Sequence, residues 1–253
     1  PSGFDPDEFT AGLRGKHWFG DHVALGATWV DENRAGDDYS LKGADLTLQA
    51  GRGTYLKLEQ SRTRATSAPV FFSDNGGLSF TETNAISGPR EGDARAVEAR
   101  ANFKELGWSS LDWSAGAWWR DVDAGYSTGR FDVGSAVEEH GAEVLGQFAP
   151  NVNVRGRYSK AERAGEALTQ ALIASEWRIN DNDSLTGELR RVEEQRLSGD
   201  ANGTLAALQY KHRFGTSFDL YGTAQVTLDD DGGQYADNDA YTVGARYLFG
   251  DLS

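Results

Sequence analysis

TLAALQYKHRFGTSFDLYGTAQVTL, residues 204–228, decides the fold. Its first half alternates strictly: Ala206, Leu208, Tyr210, His212 and Phe214 share one side, and Ala207, Gln209, Lys211 and Arg213 the other. Gly215-Thr216-Ser217 interrupts the alternation, which then resumes. Phe218, Leu220, Gly222, Ala224 and Val226 now face one way, and Asp219, Tyr221, Thr223, Gln225 and Thr227 the other. A period of two on both sides of a Gly-led tight turn is a β-hairpin. Each run has about ten residues, roughly twice the usual globular strand, which is the length a tilted strand needs to cross a bilayer. Apolar residues on one side, charges on the other and aromatics beside the turn make the pattern of a transmembrane β-barrel wall.

Working outward, the same pattern recurs along all 253 residues. Thirteen strands are predicted, near 9–19, 22–31, 39–50, 54–63, 92–105, 109–121, 135–148, 151–162, 166–178, 184–195, 203–214, 217–228 and 239–250. This makes about 12–14 strands of an antiparallel up-and-down transmembrane barrel. Residues 1–253 read as a single transmembrane barrel domain or a segment of one. Short connections at 20–21, 51–53, 106–108, 149–150, 180–183 and 215–217 alternate with longer ones at 32–38, 64–91, 122–134, 196–202 and 229–238. Arg163-Ala164-Gly165 breaks the rule, being short where a long connection is due. Loops sorted by length suit a meander with short periplasmic turns and long outer loops, and not a Greek-key sandwich. Residues 64–91 form the longest loop, with Val70-Phe71-Phe72 and Leu78-Ser79-Phe80 around Asp74-Asn75-Gly76-Gly77. It is expected to lie outside the barrel mouth or fold into the lumen, ahead of a third option in which it extends the wall as a hairpin.

The turn regions also repeat. Trp18-Phe19-Gly20-Asp21-His22-Val23 has the plan of Arg213-Phe214-Gly215-Thr216-Ser217-Phe218, a hairpin repeat of roughly 30 to 50 residues. Phe19, Phe103, Phe148, Trp177, Phe214 and Phe249 each end a strand at a short turn and are predicted to form an aromatic girdle facing lipid. The charged side carries Arg14, Lys16, Glu98, Arg100, Arg155, Arg157, Glu188, Arg190, Lys211, Arg213 and Arg246, predicted to line the lumen. A soluble β protein would turn its apolar side inward instead; strand length and loop sorting favour the membrane. On the lipid side an Arg or Lys would cost about 2–4 kcal/mol at the midplane, and the apolar sets contain none.

Composition narrows the function. Mean hydropathy is −0.57, so no apolar run reaches the roughly 18 residues of a membrane helix; alternation hides barrel strands from such a scan. A net charge of −14 argues against nucleic acid. Absence of cysteine removes disulfides, thiolate metal sites and cysteine nucleophiles. His17, His22, His140 and His212 stand on separate strands without ligand spacing, and no G-x-S-x-G elbow occurs, so no catalytic set is predicted. No cofactor is expected beyond Ca²⁺ in acidic loops, for which Asp229, Asp230 and Asp231 are weak candidates. Pro1-Ser2-Gly3-Phe4-Asp5 lacks a basic and an apolar leader region and methionine is absent, as in a processed protein or an internal piece. The odd strand count leads to the expectation that further strands or subunits complete the barrel, because open edges in lipid leave backbone groups unsatisfied.

Gly15-Lys16-His17-Trp18-Phe19-Gly20-Asp21-His22-Val23, Leu41-Lys42-Gly43-Ala44-Asp45-Leu46-Thr47-Leu48, Thr54-Tyr55-Leu56-Lys57-Leu58-Glu59 and Asp74-Asn75-Gly76-Gly77-Leu78-Ser79-Phe80 resemble the barrel region of large Gram-negative outer-membrane proteins that carry repeat or surface domains. The resemblance implies a membrane-embedded barrel, with the lipid bilayer and lipopolysaccharide as partners, and supplies no catalytic residues. The expected function is a channel, transporter or secretion conduit; the alternatives are the anchor of a surface adhesin or scaffold, and a soluble extracellular β protein.

Overall fold

A computed structural model describes residues 10–32, 38–66, 70–72, 81–83, 89–127, 135–232 and 239–248. Thirteen strands form one sheet in which every hydrogen-bonded neighbour follows in sequence. They are β1 (Thr10–Phe19), β2 (Val23–Glu32), β3 (Tyr39–Gly51), β4 (Thr54–Thr66), β7 (Pro89–Asn102), β8 (Trp113–Val122), β9 (Val137–Ala149), β10 (Val152–Arg163), β11 (Glu166–Arg178), β12 (Asp183–Gln195), β13 (Ala201–Phe214), β14 (Phe218–Asp231) and β15 (Ala240–Tyr247). The strand order is that of an antiparallel up-and-down meander. Between β4 and β7 the chain forms a separate two-stranded sheet, β5 (Val70–Phe72) and β6 (Thr81–Thr83), with Val70 opposite Thr83 and Phe72 opposite Thr81. The long connection therefore contains a hairpin, but one outside the main sheet's strand order. Its centre, Asp74-Asn75-Gly76-Gly77 and Leu78-Ser79-Phe80, lies outside the described residues.

Turns punctuate the alternation as their residues require. Gly20 and Gly215 hold φ of 63° and 61° in matching places, directly after Phe19 and Phe214, so the sequence repeat is a repeat of turn geometry. β10 and β11 meet through Ala164 and Gly165 alone, with φ of 55° and 83°. Two left-handed residues are what a tight hairpin demands, so the connection is short. The connection between β7 and β8 differs from expectation in the opposite sense. It spans 103–112 instead of 106–108, and Phe103 sits in this turn, not in a strand. Asn102 explains this: its Oδ1 accepts from the backbone N–H of Lys104 and Glu105 at 3.0 Å each, turning the chain before the strand can continue. Leu228 has no partner opposite the register shift between Thr204 and Leu205, and beyond it β14 runs on to Asp231, with Asp229 opposite Thr204 and Asp231 opposite Asn202. The acidic run is therefore strand, not loop.

Tertiary contacts divide the chain into two compact units: Pro1–Ala50, Tyr55–Glu98 and Arg120–Glu138 in the first, and Gly51–Thr54, Ala99–Trp119 and Glu139–Ser253 in the second. In the second, β10 to β14 have 12 to 14 residues each. At roughly 3.3 Å per residue and a tilt near 45°, such strands rise about 30 Å, the thickness of a hydrocarbon core.

Candidate functional site: a charged sheet face

In the first unit, strand register puts Arg14 opposite Thr28 and Thr28 opposite Gly43; Lys16 opposite Gly26 and Gly26 opposite Asp45; and Trp18 opposite Ala24 and Ala24 opposite Thr47. These residues share a side. Lys16 Nζ lies 3.0 Å from Asp45 Oδ2 and donates to Thr47 Oγ1 at 3.0 Å. Gly26 makes the first contact possible, since a Cβ there would fall 2.0 Å from Asp45 Oδ1. Ala24 and Thr47 are buried, while on the opposite side Leu13 is 73% and Leu25 50% exposed. On β4 and β7, Tyr55 donates to Glu98 at 2.5 Å.

A feature the sequence did not announce covers part of this polar side. After β8, the segment 123–127 turns onto it. Tyr39 donates to the Ser127 carbonyl at 2.9 Å, the Ser127 N–H donates to Thr63 Oγ1 at 2.9 Å, and the Ser61 and Tyr126 hydroxyls are 2.7 Å apart. Thr63 and Ser127 are buried. Gly92 leaves room for the Tyr126 backbone, whose nitrogen a Cβ would meet at 2.3 Å. The sequence pattern drew attention to the longer connection 64–91 and not to this segment. The available signal was Gly125-Tyr126-Ser127, a flexible residue beside hydrogen-bonding ones, in a connection with polar Ser61 and Thr63 to receive it.

In the second unit the polar side is a ladder of rows. Arg155 faces Ala174, Ala174 faces Glu188 and Glu188 faces Ala207; Arg157 faces Leu172, Leu172 faces Arg190 and Arg190 faces Leu205. Arg178 faces Ser184 and Ser184 faces Lys211; Arg213 faces Asp219 and Asp219 faces Arg246. Ion pairs run along and across the strands: Arg190 Nη2 to Glu188 Oε1 at 2.8 Å, Arg213 Nε to Asp219 Oδ1 at 2.8 Å and Arg246 Nη2 to Asp219 Oδ2 at 2.7 Å. Arg100 Nη2 reaches Ser114 Oγ at 3.5 Å. Toward the short turns a cleft of about 620 Å³ opens among Glu176, Arg178, Asp181, Lys211 and Arg213.

The other side of the second unit is apolar and open to its surroundings. Gly156, Ile173, Leu189, Ala206 and Val226 form one row, and Val152, Trp177, Leu185, Tyr210, Gly222 and Val243 another. Val243 is 81% and Ile173 55% exposed. Phe148, Trp177 and Phe214 are also exposed here, as is Phe19 in the first unit; Phe249 lies outside the described residues. Charges appear on this side toward the strand ends. Lys160 pairs with Glu162, and Arg191 Nε lies 2.7 Å from Glu193 Oε1, far along their strands. At the short-turn end, Asp183 accepts from Tyr210 and lies 2.6 Å from His212 Nδ1. In the first unit Arg62 Nη2 meets Glu91 Oε2 at 2.8 Å.

Among the described residues no group of three His, Cys, Asp or Glu side chains is placed to hold a metal. Asp229 instead lies 3.9 Å from Arg191, and Asp231 accepts from Asn202 at 3.4 Å.

No protein-family model and no curated sequence matches the chain. Solved structures that resemble it include OmpF of Salmonella typhi in complex with daunomycin, at 9% identity and TM-score 0.49, covering 96% of this chain and 90% of that one. OmpT, an outer membrane protein of Vibrio cholerae, resembles it at 14% identity and TM-score 0.41, covering 94% and 89% in its loop L8 deletion mutant. An outer membrane channel of Pseudomonas putida F1 does so at 12% identity and TM-score 0.37, covering 94% of each.

Proposed function

We propose that the chain forms the wall of a β-barrel channel in the Gram-negative outer membrane, its charged side lining a water-filled lumen and its apolar side facing lipid. One observation supports this above others: strands of 12 to 14 residues whose large apolar side chains are exposed on one side while ion pairs occupy the other. Water would penalise that exposed side by about 25 cal/mol per Å² of apolar surface; a bilayer removes the penalty. Arg14, Lys16, Glu98, Arg100, Arg155, Arg157, Glu188, Arg190, Lys211, Arg213 and Arg246 then line the lumen with mixed charge. Segment 123–127 narrows the water-filled side where it crosses Tyr39 and Thr63. Phe19, Phe148, Trp177 and Phe214 meet the headgroups beside the short turns, where aromatic rings are favoured. Arg62, Lys160 and Arg191 mark the opposite boundary, toward the phosphates of lipopolysaccharide.

Reconstitution of the purified protein in planar bilayers tests the reading. Discrete, long-lived conductance steps are expected. A folded, inserted protein that passes no ions would overturn it and leave an anchor.

A further inference from the structure

We infer that Arg155 and Arg157, the latter laid over Trp118, form a binding site for small oxyanionic solutes on the charged side of the second unit. The site rests on the channel reading for its access to solute, and on a separate set of contacts for its chemistry.

Three bases on that side have an acid. Arg190 is held by Glu188, and Arg213 and Arg246 share Asp219. Arg155 and Arg157, like Arg100, Arg178 and Lys211, have no carboxylate within ion-pairing distance among the described residues; the stacking of Arg157 sets this pair apart. Arg157 is instead ordered by a ring, its guanidinium carbon 4.9 Å from the centroid of Trp118. That ring is itself fixed. Its Nε1–H donates to Glu139 Oε1 at 3.0 Å. It also lies over Gly141, where a Cβ would come within 2.3 Å of Trp118 Cζ2 and 2.5 Å of the Tyr158 carbonyl oxygen. Only glycine gives the indole this seat. Glu139 is thereby engaged with the indole, and Glu143, on the same side of β9, packs near Gly116.

An arginine oriented by an aromatic face keeps its planar fork of N–H donors for a ligand, whereas one oriented by a carboxylate has used them. Because the side chain is already ordered, less freedom is lost when an anion arrives. Arg155 stands two residues away on the same strand and the same side, about 6.6 Å along it. Two cations at that spacing suit a solute with two acidic groups, or one planar oxyanion shared between them. Both carboxylates and phosphate esters fit.

Calorimetric titration of the whole protein in detergent micelles, with citrate, glucose 6-phosphate and neutral glucose, tests the site and tells the two anion chemistries apart. Binding of at least one anion, none of glucose, and a loss of tenfold or more in the Arg155→Gln/Arg157→Gln double variant are expected. Arg157→Lys keeps the charge but not the fork, and should lose affinity too; affinity equal to the parent would overturn the stacked-arginine site in favour of a diffuse field. Should the double variant fold poorly, the unaltered protein still decides. The bound anion should slow phenylglyoxal modification of Arg155 and Arg157 relative to Arg14, and equal rates would overturn the proposal. A protein that conducts without binding either anion refutes the site alone, whereas one that binds but never conducts refutes the channel alone.

Discussion

Ala164 is the only non-glycine with positive φ among the described residues. At φ 55° its Cβ crowds the following carbonyl, a conformation that costs roughly 1–2 kcal/mol in an L-residue other than glycine. Ala164→Gly removes that strain and returns part of the gain as unfolded-chain entropy. The expected net is a stabilisation of about 0.5–1 kcal/mol, read as a higher urea midpoint for unfolding from lipid vesicles. Asp219 is the opposite kind of residue, one that holds two others. Its carboxylate, nearly closed off from solvent, joins Arg213 on β13 and Arg246 on β15 to its own strand. Asp219→Asn leaves two cations facing each other across β14. It should lower the unfolding midpoint more than Glu193→Gln, whose ion pair with Arg191 is half-exposed. Equal effects would mean that Asp219 is no more than another surface acid.

At the scale of the strand, facing is the decisive property, and adjacent residues test it. Ile173 and Ala174 follow each other on β11. Ile173 lies in the row with Leu189 and Ala206, and Ala174 in the row with Arg155 and Glu188. Arginine at 173 would meet lipid well inside the strand and cost about 2–4 kcal/mol, whereas arginine at 174 would join a hydrated, mixed-charge side at little cost. Unfolding free energies of the two variants in vesicles should differ by most of that amount. A reversed order would exchange the two sides. Each variant is read against the parent, because isoleucine is the better strand former of the two residues replaced.

For the whole molecule, the exposed apolar side sets the solvent. Leu208, Phe214, Tyr241, Val243 and Tyr247 are each about half exposed or more on one side of β13 to β15. Contiguous apolar surface of that extent is rarely left to water by a soluble monomer. Diluting detergent below its micelle concentration should therefore precipitate the protein despite its net charge of −14, which would otherwise favour solubility. Light scattering through the dilution is the measurement. A clear, monodisperse, folded solution would sink the membrane assignment and the channel with it.

The amino-acid order determined the thirteen strands and, away from bulges and turns, the side to which a strand residue belongs, because a period of two is local and needs no partner to be seen. Arg155 beside Arg157 and Ile173 beside Trp177 could be sorted onto sides in this way. The tight turns after Phe19 and Phe214 were legible for a similar reason, since glycine alone enters the left-handed region freely. What alternation cannot state is which neighbour a side chain meets, because that depends on register and on segments far apart in the chain. The Asx turn at Asn102 ended β7 early although the apolar pattern ran on to Phe103. Segment 123–127 found Tyr39, Ser61 and Thr63 across 60 to 90 residues of sequence. Trp118, Glu139, Gly141 and Arg157 came together only once three strands were aligned. Their contacts follow from side-chain reach between paired backbones, which the tertiary structure alone decides.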